Sequence, residues 1–142
     1  MKFKVIIASI VLISGLLVLG YFRAVPGAEN GSTGGPRIEI LPQNFDFGDI
    51  QYGQIVEQDF LVKNAGNEIL EIKKVATSCG CTTAKIDKEM IAPGESVRLN
   101  VGYDSGAMGS SHGKGRQERI VYIKSNDPLN PQAEAVIYAN VQ

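Results

Sequence analysis

Val97-Arg98-Leu99-Asn100-Val101-Gly102-Tyr103 carries an apolar side chain at every second position, with polar residues or glycine between them. A strand sends successive side chains to opposite faces, so this stretch has one face for an interior and one for solvent. Val97, Leu99, Val101 and Tyr103 are expected to point inward, leaving Arg98, Asn100 and Gly102 outward. The same alternation returns downstream. Val121 and Ile123 oppose Ile120, Tyr122 and Lys124, and Ala135, Ile137, Ala139 and Val141 oppose Val136, Tyr138 and Asn140. No long window after Arg37 shows the period of an amphipathic helix.

Outward from this stretch, short runs rich in Val, Ile, Tyr and Phe are separated by Gly, Asn, Asp and Pro. The expected strands are Arg37 to Leu41, Asn44 to Asp49, Gln54 to Lys63, Leu70 to Ala76, Thr82 to Ile86, Val97 to Tyr103, Glu118 to Lys124 and Ala133 to Val141. Asn64-Ala65-Gly66-Asn67 supplies residues that tolerate positive φ, and Ala92-Pro93-Gly94-Glu95 suits a turn with proline in second place. Asp127-Pro128 and Asn130-Pro131 forbid a continuous strand. Eight such strands in about 105 residues match an all-β, immunoglobulin-like antiparallel sandwich of about seven to nine strands over residues 37–142.

Two other regions precede it. Lys2 and Lys4 lead into Val5 to Phe22, 18 residues without a charge, and Arg23 follows. As a helix, 18 residues rise about 27 Å, close to the hydrocarbon thickness of roughly 30 Å. Residues 1–23 are therefore expected to be a membrane anchor whose bilayer contact is Val5 to Phe22, or a signal sequence. Lysines at the start favour a cytoplasmic N-terminus and an exported C-terminal domain. Cleavage as a secretory signal is the alternative, although cutting after Ala24 or Ala28 puts Phe22 or Pro26 three residues before the cut, where small side chains are preferred. Residues 24–36, dominated by Gly, Pro and small polar residues, read as a flexible linker. The expected location is the cytoplasmic membrane, single-pass, with the domain in the periplasm or extracellular space, or secreted if cleaved.

At 142 residues the chain has room for one globular domain beside the anchor. Of 14 basic and 15 acidic residues, three and one lie before Arg37, leaving 11 against 14 and a domain charge of about −3. That lacks the basic footprint behind non-specific nucleic-acid affinity, so nucleic acid is excluded as a partner.

Five motifs occur in order: Phe45-x-Phe47-Gly48-x-Ile50, Val62-Lys63-Asn64-x-Gly66-Asn67, Ser78-Cys79-Gly80-Cys81-Thr82, Ile91-x-Pro93-Gly94-Glu95 and Ser125-Asn126-Asp127-Pro128. Together they resemble a bacterial family of domains of unknown function, DUF1573, itself more distantly similar to hydin-type immunoglobulin-like domains. The resemblance runs from about Phe45 to Val141 and implies an exported sandwich with no assigned reaction. Ser105 to Gly115 departs from it as a longer, glycine-rich segment.

Chemistry concentrates in Cys79 and Cys81, the two cysteines of the chain. A disulfide between positions i and i+2 needs a bend at Gly80 and is expected to be strained and reducible. The pair reads in three ways: a structural corner or local staple, a redox-active thiol pair exchanging with a partner protein, or a Cu(I) or Zn(II) site completed by His112, Met90 or Met108. No spacing ties His112 to the thiols. Gly109 to Gly115 falls short of a phosphate-binding loop, with three residues between its glycines rather than four and no following helix, and reads as a mobile hairpin connection. No nucleophile, base and acid constellation and no paired carboxylates stand out. The expected function is a non-catalytic, membrane-anchored binding or structural module for a protein or envelope partner, with no cofactor, metal or catalytic residue. The alternative is a thiol-dependent redox or copper-handling protein using the Cys79 and Cys81 pair.

Overall fold

The computed structural model describes residues 34–142, so the anchor at Val5 to Phe22 and most of the linker lie outside the described residues. Among the described residues no helix is long and apolar enough to cross a membrane. Nine strands form two sheets: β1 Ile38–Leu41, β2 Asn44–Ile50, β3 Ile55–Asn64, β4 Leu70–Thr77, β5 Thr82–Ile86, β6 Met90–Ile91, β7 Ser96–Asp104, β8 Gly115–Ser125 and β9 Gln132–Val141. One helical turn, α1 Ser110–Gly113, precedes β8. Sheet one runs β1-β3-β7-β5 and sheet two runs β2-β9-β8-β4-β6.

The faces follow the alternation. Val97, Leu99, Val101 and Tyr103 of β7 are buried against Val121 and Ile123 of β8 and Ala135, Ile137, Ala139 and Val141 of β9. Phe60, Leu70, Leu99 and Ile123 are completely covered, each worth roughly 1.5–3 kcal/mol of burial.

Four details differ from the sequence reading. The sandwich is not wholly antiparallel, since β2 pairs with β9 in parallel, Phe45 opposite Ile137. Only Pro42 and Gln43 separate β1 from β2, and the chain crosses there from sheet one to sheet two instead of folding β2 back onto β1. The 64–67 turn uses no positive φ. Gly66 is there because a Cβ would collide with the Gly35 carbonyl and the Arg37 nitrogen. Gly94, by contrast, has φ 77° behind Pro93, and Glu95 donates its N–H to the Ala92 carbonyl at 3.0 Å, as a type II turn requires.

The segment 105–114 does not close a hairpin. β7 and β8 belong to different sheets, so the segment carries the chain from one layer to the other. Finally, the end of the expected linker is pinned: the Gly35 N–H donates to Asn67 Oδ1 at 2.7 Å.

Candidate functional site

β4 of sheet two and β5 of sheet one are joined by the Ser78–Cys81 corner, so the cysteines sit where the chain crosses between layers. Backbone and hydroxyl groups fix the corner on both sides. Ser78 exchanges hydrogen bonds with Ile120 of β8, its N–H donating to the carbonyl at 2.9 Å and its Oγ accepting at 3.0 Å. Thr77 Oγ1 donates to the Cys79 carbonyl at 2.9 Å. On the other side the Asp104 N–H donates to the Cys81 carbonyl at 2.9 Å.

Cys79 and Cys81 are joined as a disulfide with Cα atoms 5.3 Å apart. The expected bend at Gly80 exists, yet it needs no glycine: Gly80 lies outside the left-handed region and a Cβ there would meet open space. The two sulfurs differ in surroundings. Cys81 is 2% exposed, whereas Cys79 is half-buried at the rim of the core.

Arg119 is the residue the sequence reading missed. It stands on β8 in the inward register of Gln117, Val121 and Ile123, and its half-buried side chain turns toward Cys81. Nε donates to Cys81 Sγ at 3.0 Å. One terminal nitrogen donates to Gln117 Oε1 and the other to the Glu118 carbonyl at 2.7 Å. The guanidinium carbon lies 5.5 Å from the Tyr103 ring centroid, within cation–π range. Burial pushes the Tyr103 phenol up, and the guanidinium pulls it partly back. None of the ion pairs among the described residues includes Arg119. A charged residue in the inward register of an amphipathic strand was the available signal.

The other sulfur and imidazole ligands do not gather here. Met90 pairs with Glu71 at the far end of β4, about 20 Å along the strand from the cysteines. Among the described residues no group of three or more His, Cys, Asp or Glu side chains is placed to hold a metal. His112 lies in α1, outside the disulfide corner.

Among the described residues the β4/β5 side is also open. β5 is the last strand of sheet one, and β6 covers only Leu70 and Glu71 of β4. Val75, Ala84 and Ile86 line this side as partly buried apolar residues packed on the core.

These features define a two-sheet β-sandwich with an inter-sheet disulfide corner and one open flank. The family described as protein of unknown function (DUF1573) matches residues 38–141, and the chain belongs to it. Solved structures share the fold. A protein of unknown function from Porphyromonas gingivalis W83 is 24% identical with a TM-score of 0.67, covering 77% of this chain and 48% of its own. The chain thus spans about half the length of that relative. The VesB protease of Vibrio cholerae is 17% identical with a TM-score of 0.58, over 72% of this chain and 31% of the protease. The YadV chaperone is 14% identical with a TM-score of 0.53, over 74% and 52%. No curated protein matches the chain.

Proposed function

We propose that the protein is a non-catalytic, membrane-anchored module that binds an extended acidic segment of another protein outside the cytoplasm. The observation that carries this reading is the open β4/β5 flank. Among the described residues no strand pairs with the outer edges of Lys73–Thr77 and Thr82–Ile86, which border the apolar Val75, Ala84 and Ile86. A peptide adding there as a strand gains main-chain hydrogen bonds from the edge and a pocket for alternate side chains.

Charge supports an acidic partner. Lys73, Lys74 and Lys85 lie on these two strands and Lys124 on the neighbouring β8, and none of the four is in an ion pair among the described residues. Like charges on an edge also oppose pairing with a second copy of the chain. Lys2 and Lys4 before the apolar Val5 to Phe22 support anchoring with the domain exported.

A photo-crosslinking residue at Lys85 of the full chain, expressed in its native cells, tests the reading. The expected result is a discrete adduct with one polypeptide in the membrane fraction. That adduct is absent when the probe sits at Glu39, on β1 at the opposite edge of sheet one, and is lost when Lys73 and Lys74 become Glu. Equal labelling at both positions overturns it. The same fraction should carry an intact Met1, and a terminus near residue 25 to 30 replaces the anchor by a cleaved signal.

A further inference from the structure

The disulfide corner pairs a cation with a poor acceptor. A bonded sulfur accepts hydrogen bonds weakly, yet the half-buried Arg119 side chain spends its Nε donor on Cys81 Sγ at 3.0 Å. Its remaining partners, Gln117, the Glu118 carbonyl and the Tyr103 ring, are all neutral. A guanidinium facing a sulfur without a carboxylate beside it favours whichever state of that sulfur is anionic. That state is the Cys81 thiolate, which exists only when the disulfide is open. Charge-assisted hydrogen bonds to an anion are roughly twice as strong as neutral ones, so Arg119 stabilises the open form more than the closed form.

Accessibility is divided the other way. Cys79 is the half-buried sulfur at the rim and Cys81 is 2% exposed. Thr82 Oγ1 lies 3.4 Å from Cys79 Sγ and 3.8 Å from Cys81 Sγ, so one hydroxyl serves both. An incoming thiolate therefore reaches Cys79, and the sulfur that departs is the one beside the cation. This asymmetry is what directional exchange needs, since rates rise with the stability of the leaving thiolate and depend on which sulfur can be attacked.

We propose that Cys79–Cys81 is an exchangeable disulfide in which Cys79 takes the thiolate of a partner dithiol protein and Arg119 holds Cys81 as the leaving thiolate. In the first step a bond forms between the partner sulfur and Cys79 Sγ while the Cys79–Cys81 bond breaks, its electron pair remaining on Cys81. In the second, the partner's other thiolate attacks its own sulfur in the mixed disulfide and releases Cys79. The partner is oxidised by two electrons and the Cys79–Cys81 pair is reduced by two. Of the two protons the partner's thiols give up, Cys79 takes one and solvent the other. The proposal stands apart from the open flank, because it needs no strand added there.

Equilibration of the full chain in detergent with reduced and oxidised glutathione tests it. The expected result is that Arg119→Met shifts the equilibrium at least tenfold toward the disulfide, and that Arg119→Lys recovers part of the shift. A circular dichroism spectrum unchanged from the parent shows that the comparison is between folded proteins. An unchanged equilibrium in folded Arg119→Met overturns the proposal. If Arg119→Met does not fold, mapping glutathione on the parent chain decides alone. Attachment at Cys79 with Cys81 free is the expected pattern, and attachment at Cys81 or at both equally overturns it.

Discussion

Asp127 is 1% exposed and its carboxylate accepts N–H donors from Ile38, Leu129 and Asn130 at 2.9, 2.8 and 3.1 Å. Burial by itself pushes its pKa up, but the three backbone donors and the nearby Arg37 outweigh it and hold the group below the ordinary carboxylate value. A carboxyl whose folded pKa is depressed adds stability above its unfolded value, near 4, and that stability is lost as pH falls through the folded value. Denaturant titrations from pH 6 to about 2.5 should therefore show a steeper acid loss in the parent than in Asp127→Asn. Asp127→Ala, which strands the three donors, should cost on the order of 3 kcal/mol at neutral pH. Asn64 is the other buried hub. Its Nδ2 donates to the Glu68 and Ile91 carbonyls at 2.7 and 2.9 Å, and its Oδ1 accepts from Arg37 and Gly66 at 3.3 and 3.0 Å. Asn64→Ala leaves all four unpaired, and thermal unfolding should report a loss of about 3 kcal/mol.

At the level of elements, neighbouring strands set two opposite outcomes. Lys74 of β4 lies directly across from Lys124 of β8, and like charges facing each other across a ladder destabilise it. Lys74→Glu should therefore raise the unfolding midpoint, by about 0.5 kcal/mol in free energy, and the gain should shrink in high salt. Glycines in two turns behave differently from each other. Gly66→Ala drives a methyl into the backbone at Gly35 and Arg37 and should cost more than about 2 kcal/mol, whereas Gly80→Ala meets open space and should stay within about 0.5 kcal/mol. Both are read from denaturant midpoints. The turn letters in the sequence mark each place as a turn, but whether glycine is needed depends on what packs against it.

Across the whole molecule the two ends divide their work. At the end where the chain joins the sandwich, Asn64, Asn67, Asn126 and Asp127 tie turns to strands by side-chain bonds to backbone. At the other end, some 25 Å away along β7, lie the disulfide and Arg119. Between them, among the described residues, the β4/β5 flank is open along β5 and along β4 beyond the two residues that β6 covers. Amide hydrogen exchange should show slow exchange through β3, β7, β8 and β9, and fast exchange for outward-facing amides of Lys73–Thr77 and Thr82–Ile86. Uniform protection of all strands would contradict an open flank. Of the motifs in the sequence, the asparagines and Asp127 prove to be this stapled end, and Ser78 to Thr82 the thiol end.

The sequence by itself determined which residues face inward and where the chain turns. Side-chain alternation and the stereochemistry of Pro and Gly are local properties, so β7, β8 and β9 could be traced with their faces from neighbouring letters alone. Only the tertiary structure decided that β2 runs parallel to β9, that β7 and β8 lie in different sheets, that Asp127 reaches Ile38 across 89 positions and that Arg119 meets Cys81 across 38. Those outcomes depend on how two sheets dock, and partners far apart in the chain are chosen by packing of the whole core, which no short window of sequence contains.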